Sequence, residues 1–355
     1  MAGNQTRQSE LIASLLKPEV YPHPVESLEL IETHISWVIL TGAYAYKIKK
    51  SLKLNFLDFS TLRQRQYYCE EELRLNRRLA PQLYIEVVPI CGSAMSPEIG
   101  GEGRAIEYAL KMHQFLQSAQ LDRQLEAGLL NENDVRDLAQ TIAGYHRDAG
   151  ALDFEREEDA IRQIREPQLD NFPPIRSIMD LRTARHIEAW TERSLSELEP
   201  ALVQRHKHGF VRECHGDLHL KNLVRLPYGI VAFDCVEFNA ALRNIDVISD
   251  LAFLAMDLVA YARQDLAAVL VNRYLECTGD YSGMSVFGLY FVYHCMIRSK
   301  VAAVRYGEES EAVARKQARA QLIHDLGVAI RWIRRPEPIA VGMHGFAGSG
   351  KTWRS

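Results

Sequence analysis

Hydrophobic residues recur first at helical spacing and then at strand spacing near the start of the chain. Leucine and isoleucine residues within positions 11–16 lie about one turn apart before Pro18, which predicts an N-terminal helix. Strand-like apolar segments then cover positions 28–31, 35–40 and 43–49, with a glycine-containing turn between the last two. This pattern predicts an antiparallel meander.

The rest of the chain changes from mixed to mostly helical periodicity. Positions 61–80 carry charges on one side and apolar residues on the other, which predicts a helix ending before Pro81. Two strand segments follow, at 83–90 and 103–112. Helical patterns then cover 135–149, 183–198, 246–262, 286–306 and 309–333, and one hairpin interrupts them between 217 and 234. We therefore expect a sheet lobe followed by a helical lobe.

Composition narrows the class of protein. The 355 residues are 47% hydrophobic and 25% charged, which suits one bilobed unit or two domains. A net charge of -4 gives no basic surface of the kind that binds nucleic acid. The six cysteines form no CxxC pair, which argues against structural zinc or a disulfide framework. A polar N-terminus and short apolar runs predict a cytoplasmic location without a membrane partner.

The hairpin carries the strongest chemical signal. Residues 215–222 read HGDLHLKN, and an apolar strand follows that ends in Asp234. Asp217 and Asn222 have the Asp-x-x-x-x-Asn spacing of a kinase catalytic loop, in which the aspartate accepts the substrate's hydroxyl proton and the asparagine holds Mg²⁺. Asp234 is the second candidate metal ligand, since Mg²⁺ prefers oxygen ligands. His215 and His219 flank Asp217 and complete the candidate catalytic set.

An ordinary turn is the alternative interpretation of this hairpin. His-Gly-Asp and Lys-Asn are common in loops, and an aspartate at a strand end often caps a helix. The kinase interpretation is preferred because the strand, the Asp217 to Asn222 spacing and the later Asp234 all agree with it.

These residues resemble the aminoglycoside phosphotransferase-like branch of the protein-kinase-like superfamily. The resemblance rests on HGDLHLKN at 215–222, VAFD at 231–234, ETHISWV at 32–38 and AYKIKK at 45–50. It implies an α+β bilobal fold, with a small antiparallel-sheet N-lobe in residues 1–112 and a mostly helical C-lobe in 113–335. It also implies ATP- and Mg²⁺-dependent transfer of phosphate to a hydroxyl of a small molecule, without selecting that molecule.

The resemblance also implies partners for the nucleotide phosphates. A kinase needs a sheet-lobe lysine oriented by a helix glutamate, and Lys47 lies where that lysine is expected. Lys49 is the competing choice because it lies on the same face of the strand. The glutamate is expected within residues 70–72, where Glu72 is preferred to Glu71 because it lies one turn before an inward-facing leucine. A solvated basic strand end and a solvated acidic helix face are the alternatives.

Other nucleotide contacts are less clearly marked. The connector between the lobes, whose backbone holds the base in kinases, is expected near 108–112, which makes Tyr108, Ala109 and Leu110 candidates. No GxGxxG covers the phosphates, and Cys235-Val236 follow Asp234 where protein kinases have Phe-Gly. Both departures favour a small-molecule kinase over a protein kinase.

Several polar residues have structural alternatives. Asp250 is expected to brace the catalytic loop through backbone hydrogen bonds, and His146 is expected to be a packed or capping histidine. The acceptor side of the site is less determined. A group beyond Asp234 could face the acceptor or serve as ordinary loop and cap residues: Glu237, Asn239, Arg243 and Asp246.

A second phosphate motif closes the sequence. Residues 345–352 read GFAGSGKT after an apolar strand, so Gly345, Gly350, Lys351 and Thr352 match a P-loop that cradles phosphates. Only three residues follow, without a helix or a Walker B carboxylate. We expect residues 336–355 to be a linker and the inactive stub of a truncated P-loop domain, or to be completed by a partner chain.

Two functions compete with the phosphotransferase. The kinase-like region could be a non-catalytic nucleotide-binding module that regulates a lost C-terminal P-loop domain, as the absent glycine loop would allow. The chain could also act as a P-loop ATPase through Lys351. The presence of all four expected polar positions in the kinase-like region favours the phosphotransferase.

Overall fold

The computed structural model of the chain describes residues 2–54, 57–152, 157–178 and 182–335. The first of its two lobes is built on an antiparallel sheet. Its elements in chain order are α1 (Ala2–Leu15), a 3-10 turn (Pro18–Val20), β1 (Glu29–Glu32), β2 (Ser36–Leu40), β3 (Tyr44–Lys49), β4 (Lys53–Leu54), β5 (Leu57–Asp58), α2 (Leu62–Asn76), β6 (Tyr84–Ser93), β7 (Ser96–Ile99) and β8 (Glu107–His113).

Within the described residues the main sheet has six strands in the order β1-β2-β3-β8-β6-β7, all paired antiparallel. The predicted meander is confirmed as β1 to β3. The strands β4, β5 and β7 were not predicted, because two to four residues are too few to show an alternating pattern.

Two helices fix the sheet lobe. Helix α1 buries Leu11, Ile12 and Leu15 against sheet residues that include Ile48 and Ile90. Helix α2 begins at a capping box, in which the Thr61 side chain accepts from the Gln64 N–H and the Gln64 side chain accepts from the Thr61 N–H. The residues that α2 buries are Arg65, Cys69, Glu72, Leu75 and Asn76.

The second lobe is mostly helical. Its helices are α3 (Leu121–Glu126), α4 (Glu132–Asp148), α5 (Glu157–Leu169), α6 (Phe172–Arg176), α7 (Arg182–Lys207), α8 (Ala240–Arg243), α9 (Val247–Ala260), α10 (Gln264–Thr278), α11 (Met284–Glu308) and α12 (Ala312–Ile333). Its strands are β9 (Val211–Glu213), β10 (Leu223–Leu226), β11 (Gly229–Ala232) and β12 (Asn244–Asp246), and 3-10 turns cover Gln117–Ala119, Leu220–Asn222 and Tyr281–Gly283.

Helix α9 is the centre of the helical lobe. Its residues from Val247 to Leu258 are all buried, as expected of a helix that is apolar on most sides and surrounded by others. Two of its buried residues are aspartates, Asp250 and Asp257, which face the loop that follows β9.

The predicted α+β bilobal fold, with a sheet lobe followed by a helical lobe, is confirmed. None of the helices in the described ranges combines the length and apolarity needed to cross a membrane.

Candidate active site

A cavity of about 1060 Å³ lies between the two lobes. Its wall includes Lys47 from β3, Asp217 and Asn222 from the loop before β10, and Asp234 after β11. Ligand pockets in proteins usually measure roughly 300–1,000 Å³. The cavity therefore has room for a ligand of nucleotide size together with a second small molecule.

Asp217 and Asn222 are in direct contact. The Asn222 side-chain amide donates to Asp217 Oδ2 at 2.9 Å and to the Asp217 carbonyl oxygen at 3.0 Å. The 3-10 turn at Leu220–Asn222 makes this contact possible by bending the chain back between the two residues. The Asp217 side chain remains 41% exposed, so a ligand in the cavity can reach its carboxylate.

Asp250 braces this loop, as predicted from the sequence. Its carboxylate accepts hydrogen bonds from the backbone N–H groups of His215, at 2.7 Å, and Gly216, at 2.9 Å. Gly216 has φ +83°, and a Cβ there would lie 2.6 Å from the Leu242 carbonyl oxygen. The loop therefore needs both the buried carboxylate and the glycine.

His215 corrects one expectation, because the structure gives it no access to a substrate. Its side chain is fully buried, its Nε2 lies 3.0 Å from the Phe233 carbonyl oxygen, and its Nδ1 lies 3.3 Å from the Asp217 N–H. Burial lowers the pKa of His215, which favours a neutral ring donating at Nε2 and accepting at Nδ1. His215 thus positions Asp217 against the end of β11 and makes no contact with the cavity.

His219, the other flanking histidine, lines the cavity beside Asp217. Its Nε2 is 3.3 Å from Asp217 Oδ2, and its ring packs edge-on against Phe253. Burial disfavours charge on both groups, but their mutual attraction outweighs it, so the pKa of His219 is raised and the pKa of Asp217 is lowered. Asp217 is therefore an ionised carboxylate near neutral pH.

Lys47 and Lys49 share one buried glutamate. Lys47 Nζ lies 2.7 Å from Glu72 Oε1, and Lys49 Nζ lies 2.7 Å from Glu72 Oε2. Lys47 also contacts the Asp234 carboxylate and Lys49 contacts Glu237. Lys47 lines the cavity, whereas Lys49 is 1% exposed. The structure thus brings Lys47 to the cavity and puts Glu72, on α2, between the two lysines.

The charges of this cluster stabilise one another. Burial opposes the Lys47 ammonium, but the carboxylates of Asp234 and Glu72 outweigh that effect and raise the pKa of Lys47 well above its usual value. Burial likewise opposes the Glu72 carboxylate, and the two lysines outweigh it and lower the pKa of Glu72. Glu71, the alternative in the sequence, instead pairs with Arg74 at 2.9 Å.

Asp234 is held at the cavity by an unusual backbone conformation. Its φ is +63°, in the left-handed region that aspartate tolerates better than most residues, and its N–H donates to the Tyr84 hydroxyl at 3.0 Å. The side chain is 44% exposed. Its carboxylate is therefore accessible from the cavity.

The oxygens available here suit a hard divalent cation. The side-chain nitrogen of Asn222 donates to Asp217, whereas its Oδ1 makes no hydrogen bond to a described residue. Together with the exposed Asp234 carboxylate, this oxygen set is of the kind that binds Mg²⁺. A second cluster of possible ligands, His146, Cys214 and Asp250, lies fully buried away from the cavity wall.

His146 is a packed histidine, as predicted. Its Nδ1 is 2.9 Å from the Tyr274 hydroxyl and its Nε2 is 3.3 Å from Asp250 Oδ2. It supports Asp250 and, through it, the loop that carries Asp217.

The predicted position of the connector is wrong. Tyr108, Ala109 and Leu110 lie inside β8, where they pair with β6, and Ala109 and Leu110 also pair with β3. Both of these residues are fully buried. The lobes are joined by residues 114–120, after β8 ends at His113, and Gln114, Phe115 and Gln117 in this segment line the cavity.

The sequence did not identify the segment that covers the cavity on the sheet side. Thr33, His34 and Ile35, in the turn between β1 and β2, line it where a glycine-rich loop would be expected. Thr33 Oγ1 closes this turn by donating to the Ser36 carbonyl oxygen at 3.0 Å and accepting from the Ser36 N–H at 2.9 Å. The strand-turn-strand pattern in the sequence is the signal that could have identified this segment.

The residues beyond Asp234 divide into two groups. Glu237, Asn239 and Asp246 line the cavity. Arg243 does not, because it is buried against Glu213 at 3.2 Å. The P-loop candidates Gly345, Gly350, Lys351 and Thr352 lie outside the described residues.

Comparison with known proteins finds relatives of undetermined function. An uncharacterized protein of Mycobacterium tuberculosis and one of Mycobacterium bovis are each 28% identical over 337 residues, which covers 93% of this chain. The chain spans 65% of the length of these relatives. No protein-family model matches the sequence.

Solved structures show the fold. A choline/ethanolamine kinase family protein from Mesorhizobium loti superposes with a TM-score of 0.50 at 12% identity, covering 92% of this chain and 99% of that one. The GDP complex of aminoglycoside 2'-phosphotransferase-IIIa has a TM-score of 0.49 at 12% identity, covering 91% of this chain and 99% of that one. An ethanolamine kinase of Plasmodium vivax has a TM-score of 0.48 at 12% identity, covering 86% of this chain and 84% of that one. The chain therefore shares the bilobal fold of the choline/ethanolamine kinase family protein, with a sheet lobe followed by a helical lobe.

Proposed function

We propose that the chain is an ATP- and Mg²⁺-dependent phosphotransferase that acts on a hydroxyl group of a small molecule. Phosphoryl transfer is catalysed mainly by positioning and by electrostatic stabilisation, so it needs a carboxylate for the acceptor, an ammonium for the phosphates and oxygen ligands for metal. The observation that carries the proposal is the meeting of Lys47, Asp217, Asn222 and Asp234 in one cavity between the lobes.

Asp217 is the proposed catalytic base. Its carboxylate is ionised, accessible and oriented by Asn222 and His219, so it can accept a hydrogen bond from an acceptor hydroxyl and take the proton during transfer. His215 and Asp250 act through the backbone of the loop and are positioning residues.

Lys47 is the proposed phosphate-binding ammonium. Glu72 holds it in place, and Asn222 and Asp234 are the residues that would hold Mg²⁺. When bound, Mg²⁺ would neutralise phosphate charge during transfer. The Thr33 to Ile35 turn lies where it can cover a nucleotide from the sheet side.

The test is a screen of small-molecule pools with γ-labelled ATP, followed by kinetics on the acceptor that becomes labelled. Asp217→Asn keeps the shape of the side chain and removes the base, so kcat should fall by about a hundredfold or more. Asp265→Asn, on the exposed start of α10, is the matched control and should leave kcat unchanged. Labelling that survives in Asp217→Asn at the wild-type rate would contradict the proposed role.

A regulatory nucleotide-binding module is the second candidate. It is favoured by the β1–β2 turn, which contains no glycine to bring backbone N–H groups close to phosphates. Under this alternative, Mg·ATP binds in calorimetry but Asp217→Asn changes no turnover. A P-loop ATPase would instead lose its activity in Lys351→Ala and keep it in Asp217→Asn.

A further inference from the structure

The cavity continues from Asp217 into the helical lobe, where its wall is largely apolar. This part of the wall includes Phe238, Leu242, Phe253, Tyr290, Tyr293 and Ile297, from α8, α9, α11 and the segment before α8. If Asp217 takes the proton of an acceptor, as proposed above, the acceptor must lie next to it. These side chains would then contact the body of the acceptor.

Two carboxylates in this wall are already neutralised by protein partners. Asp246 accepts hydrogen bonds from the Arg205 guanidinium at 2.6 and 2.8 Å, and Glu237 contacts the Lys49 ammonium. Both carboxylates are less than 5% exposed. Since each already has a buried counter-charge, neither offers a full negative charge to a cationic ligand.

One ammonium in the wall has no such partner among the residues that the structure describes. Lys300, on α11, has its Nζ 3.3 Å from Asn171 Oδ1, and it forms no ion pair within 4.0 Å with any described residue. Asp217, beside which the acceptor hydroxyl lies, faces His219 at 3.3 Å, and Asp170, which follows α5, is exposed to water, which screens its charge. A half-buried positive charge beside apolar side chains repels a cationic ligand.

His294 adds no charge to the wall at neutral pH. Its Nε2 lies 3.0 Å from Ser249 Oγ, and burial lowers its pKa to about 4. Its ring also stacks on Phe253 with a centroid separation of 4.2 Å, which covers one face of that aromatic ring. Aromatic faces can bind a quaternary ammonium group, but here one such face is occupied and Lys300 lies in the same wall.

We infer that the acceptor is an alcohol with an apolar body and no positive charge. Its hydroxyl lies at Asp217 and its body contacts the wall formed by α8, α9 and α11. A negative group on the acceptor is accommodated by Lys300. This inference rests on the proposed function only for the orientation of the ligand, since the charge and polarity of the wall belong to the chain itself.

Three matched alcohols test the inference: choline, its uncharged carbon isostere 3,3-dimethylbutan-1-ol, and the anion 3-hydroxy-2,2-dimethylpropanoate. Binding is measured by calorimetry on the full chain with Mg²⁺ and a non-hydrolysable ATP analogue, and transfer is measured separately with labelled ATP. A single nearby charge at an effective dielectric constant near 20 is expected to change affinity by about tenfold or more. The uncharged and anionic alcohols should therefore bind at least that much more tightly than choline.

Lys300→Glu reverses the charge of the wall and should weaken binding of the anion and strengthen binding of choline. Lys300→Met removes the charge without adding another, so its affinities for the two ligands should lie between those of the wild type and of Lys300→Glu. Lys316→Glu makes the same charge change on the exposed surface of α12 and is the control. Thermal unfolding of each variant confirms that it is folded.

The outcomes separate the two proposals. Choline binding as tightly as its isostere, equal behaviour of Lys300→Glu and Lys316→Glu, or no binding of any alcohol at millimolar concentration would overturn the inference. Discrimination in binding without any transfer from ATP would uphold it and count against the phosphotransferase. Transfer of phosphate to choline in preference to the other two alcohols would overturn the inference and support the phosphotransferase.

Discussion

At the residue scale, the buried ring of His294 makes stability depend on pH. Its pKa in the folded chain is lowered to about 4, whereas the unfolded chain binds a proton near the usual value of 6.5. Below pH 6.5 the unfolded state therefore binds more protons than the folded state, and stability falls as the pH falls towards 4.

The expected loss is about 3 kcal/mol between pH 6.5 and 4, since each pKa unit corresponds to about 1.4 kcal/mol. Urea unfolding at several pH values measures it. His294→Gln should show a shallower decline over this range. His208→Gln, which replaces an exposed histidine, should decline like the wild type. Equal slopes in the His294 variant and the wild type would show that the ring is not buried as described.

The choice between Lys47 and Lys49 shows where sequence reasoning ends at this scale. A period of two residues places both side chains on one face of β3, and the structure confirms that both reach Glu72. What separates them is depth: Lys47 reaches the cavity and Lys49 is enclosed with Glu237. Depth depends on how the helical lobe packs against the strand, which local periodicity does not record.

At the element scale, the loop between β9 and β10 depends on Gly216. Its positive φ is costly for other residues, and an added Cβ would meet the backbone of Leu242. Gly216→Ala should therefore destabilise the chain by about 2 kcal/mol or more, because backbone cannot move aside as a flexible side chain can.

Denaturant unfolding of Gly216→Ala and Gly150→Ala measures this effect. A Cβ at Gly150 meets nothing within 4 Å, and its φ lies outside the left-handed region, so it isolates the effect of adding a methyl group. A cost in Gly216→Ala no larger than in Gly150→Ala would contradict the described loop geometry.

Elements were predictable where local chemistry marks their ends. The capping box at Thr61 and Gln64 marks the start of α2, and Pro18 follows soon after α1. The connector was misplaced because nothing comparable marks the end of β8: His113, Gln114 and Phe115 contain neither glycine nor proline. Only pairing with β3 and β6 defines where that strand stops.

At the scale of the whole molecule, buried ion pairs join the lobes. Glu237 follows β11 in the helical lobe and contacts Lys49 in the sheet lobe. Glu237→Gln removes one of the two carboxylates beside Lys49 and should lower the free energy of unfolding by about 3 kcal/mol, because it weakens the compensation of a buried charge.

Thermal and urea unfolding measure the effect, with Glu86→Gln as the matched control. Glu86 pairs with Lys111 at 3.4 Å and is 54% exposed, so its loss should cost less than about 1 kcal/mol. Equal stability of the two variants would mean that the Lys49 pair contributes little to joining the lobes.

The bilobal fold was predictable because the order of patterns separates strands from helices along the chain. The charge network between the lobes was not predictable in this way. Lys47 and Asp234 are 187 residues apart, and the resemblance gave each a role in phosphoryl transfer without showing that they touch. Their contact depends on the approach of the two lobes, which is a property of the folded molecule.

The contact between Lys47 and Asp234 implies that nucleotide binding and metal binding are coupled. The Lys47 ammonium contacts the Asp234 carboxylate, which the proposed metal site requires, so Mg²⁺ and Lys47 compete for Asp234. A nucleotide gives Lys47 other anionic partners and so releases that carboxylate, which makes nucleotide and metal binding mutually reinforcing.

Calorimetry should therefore detect Mg²⁺ binding with ADP present and much weaker binding without it. Lys47→Met should strengthen binding of the free ion and weaken binding of ADP, whereas Lys53→Met, at an exposed pair with Asp58, should change neither. Independent binding of ADP and Mg²⁺ would contradict this coupling. If the coupling is found, the Lys47 ammonium restricts tight metal binding to the nucleotide complex.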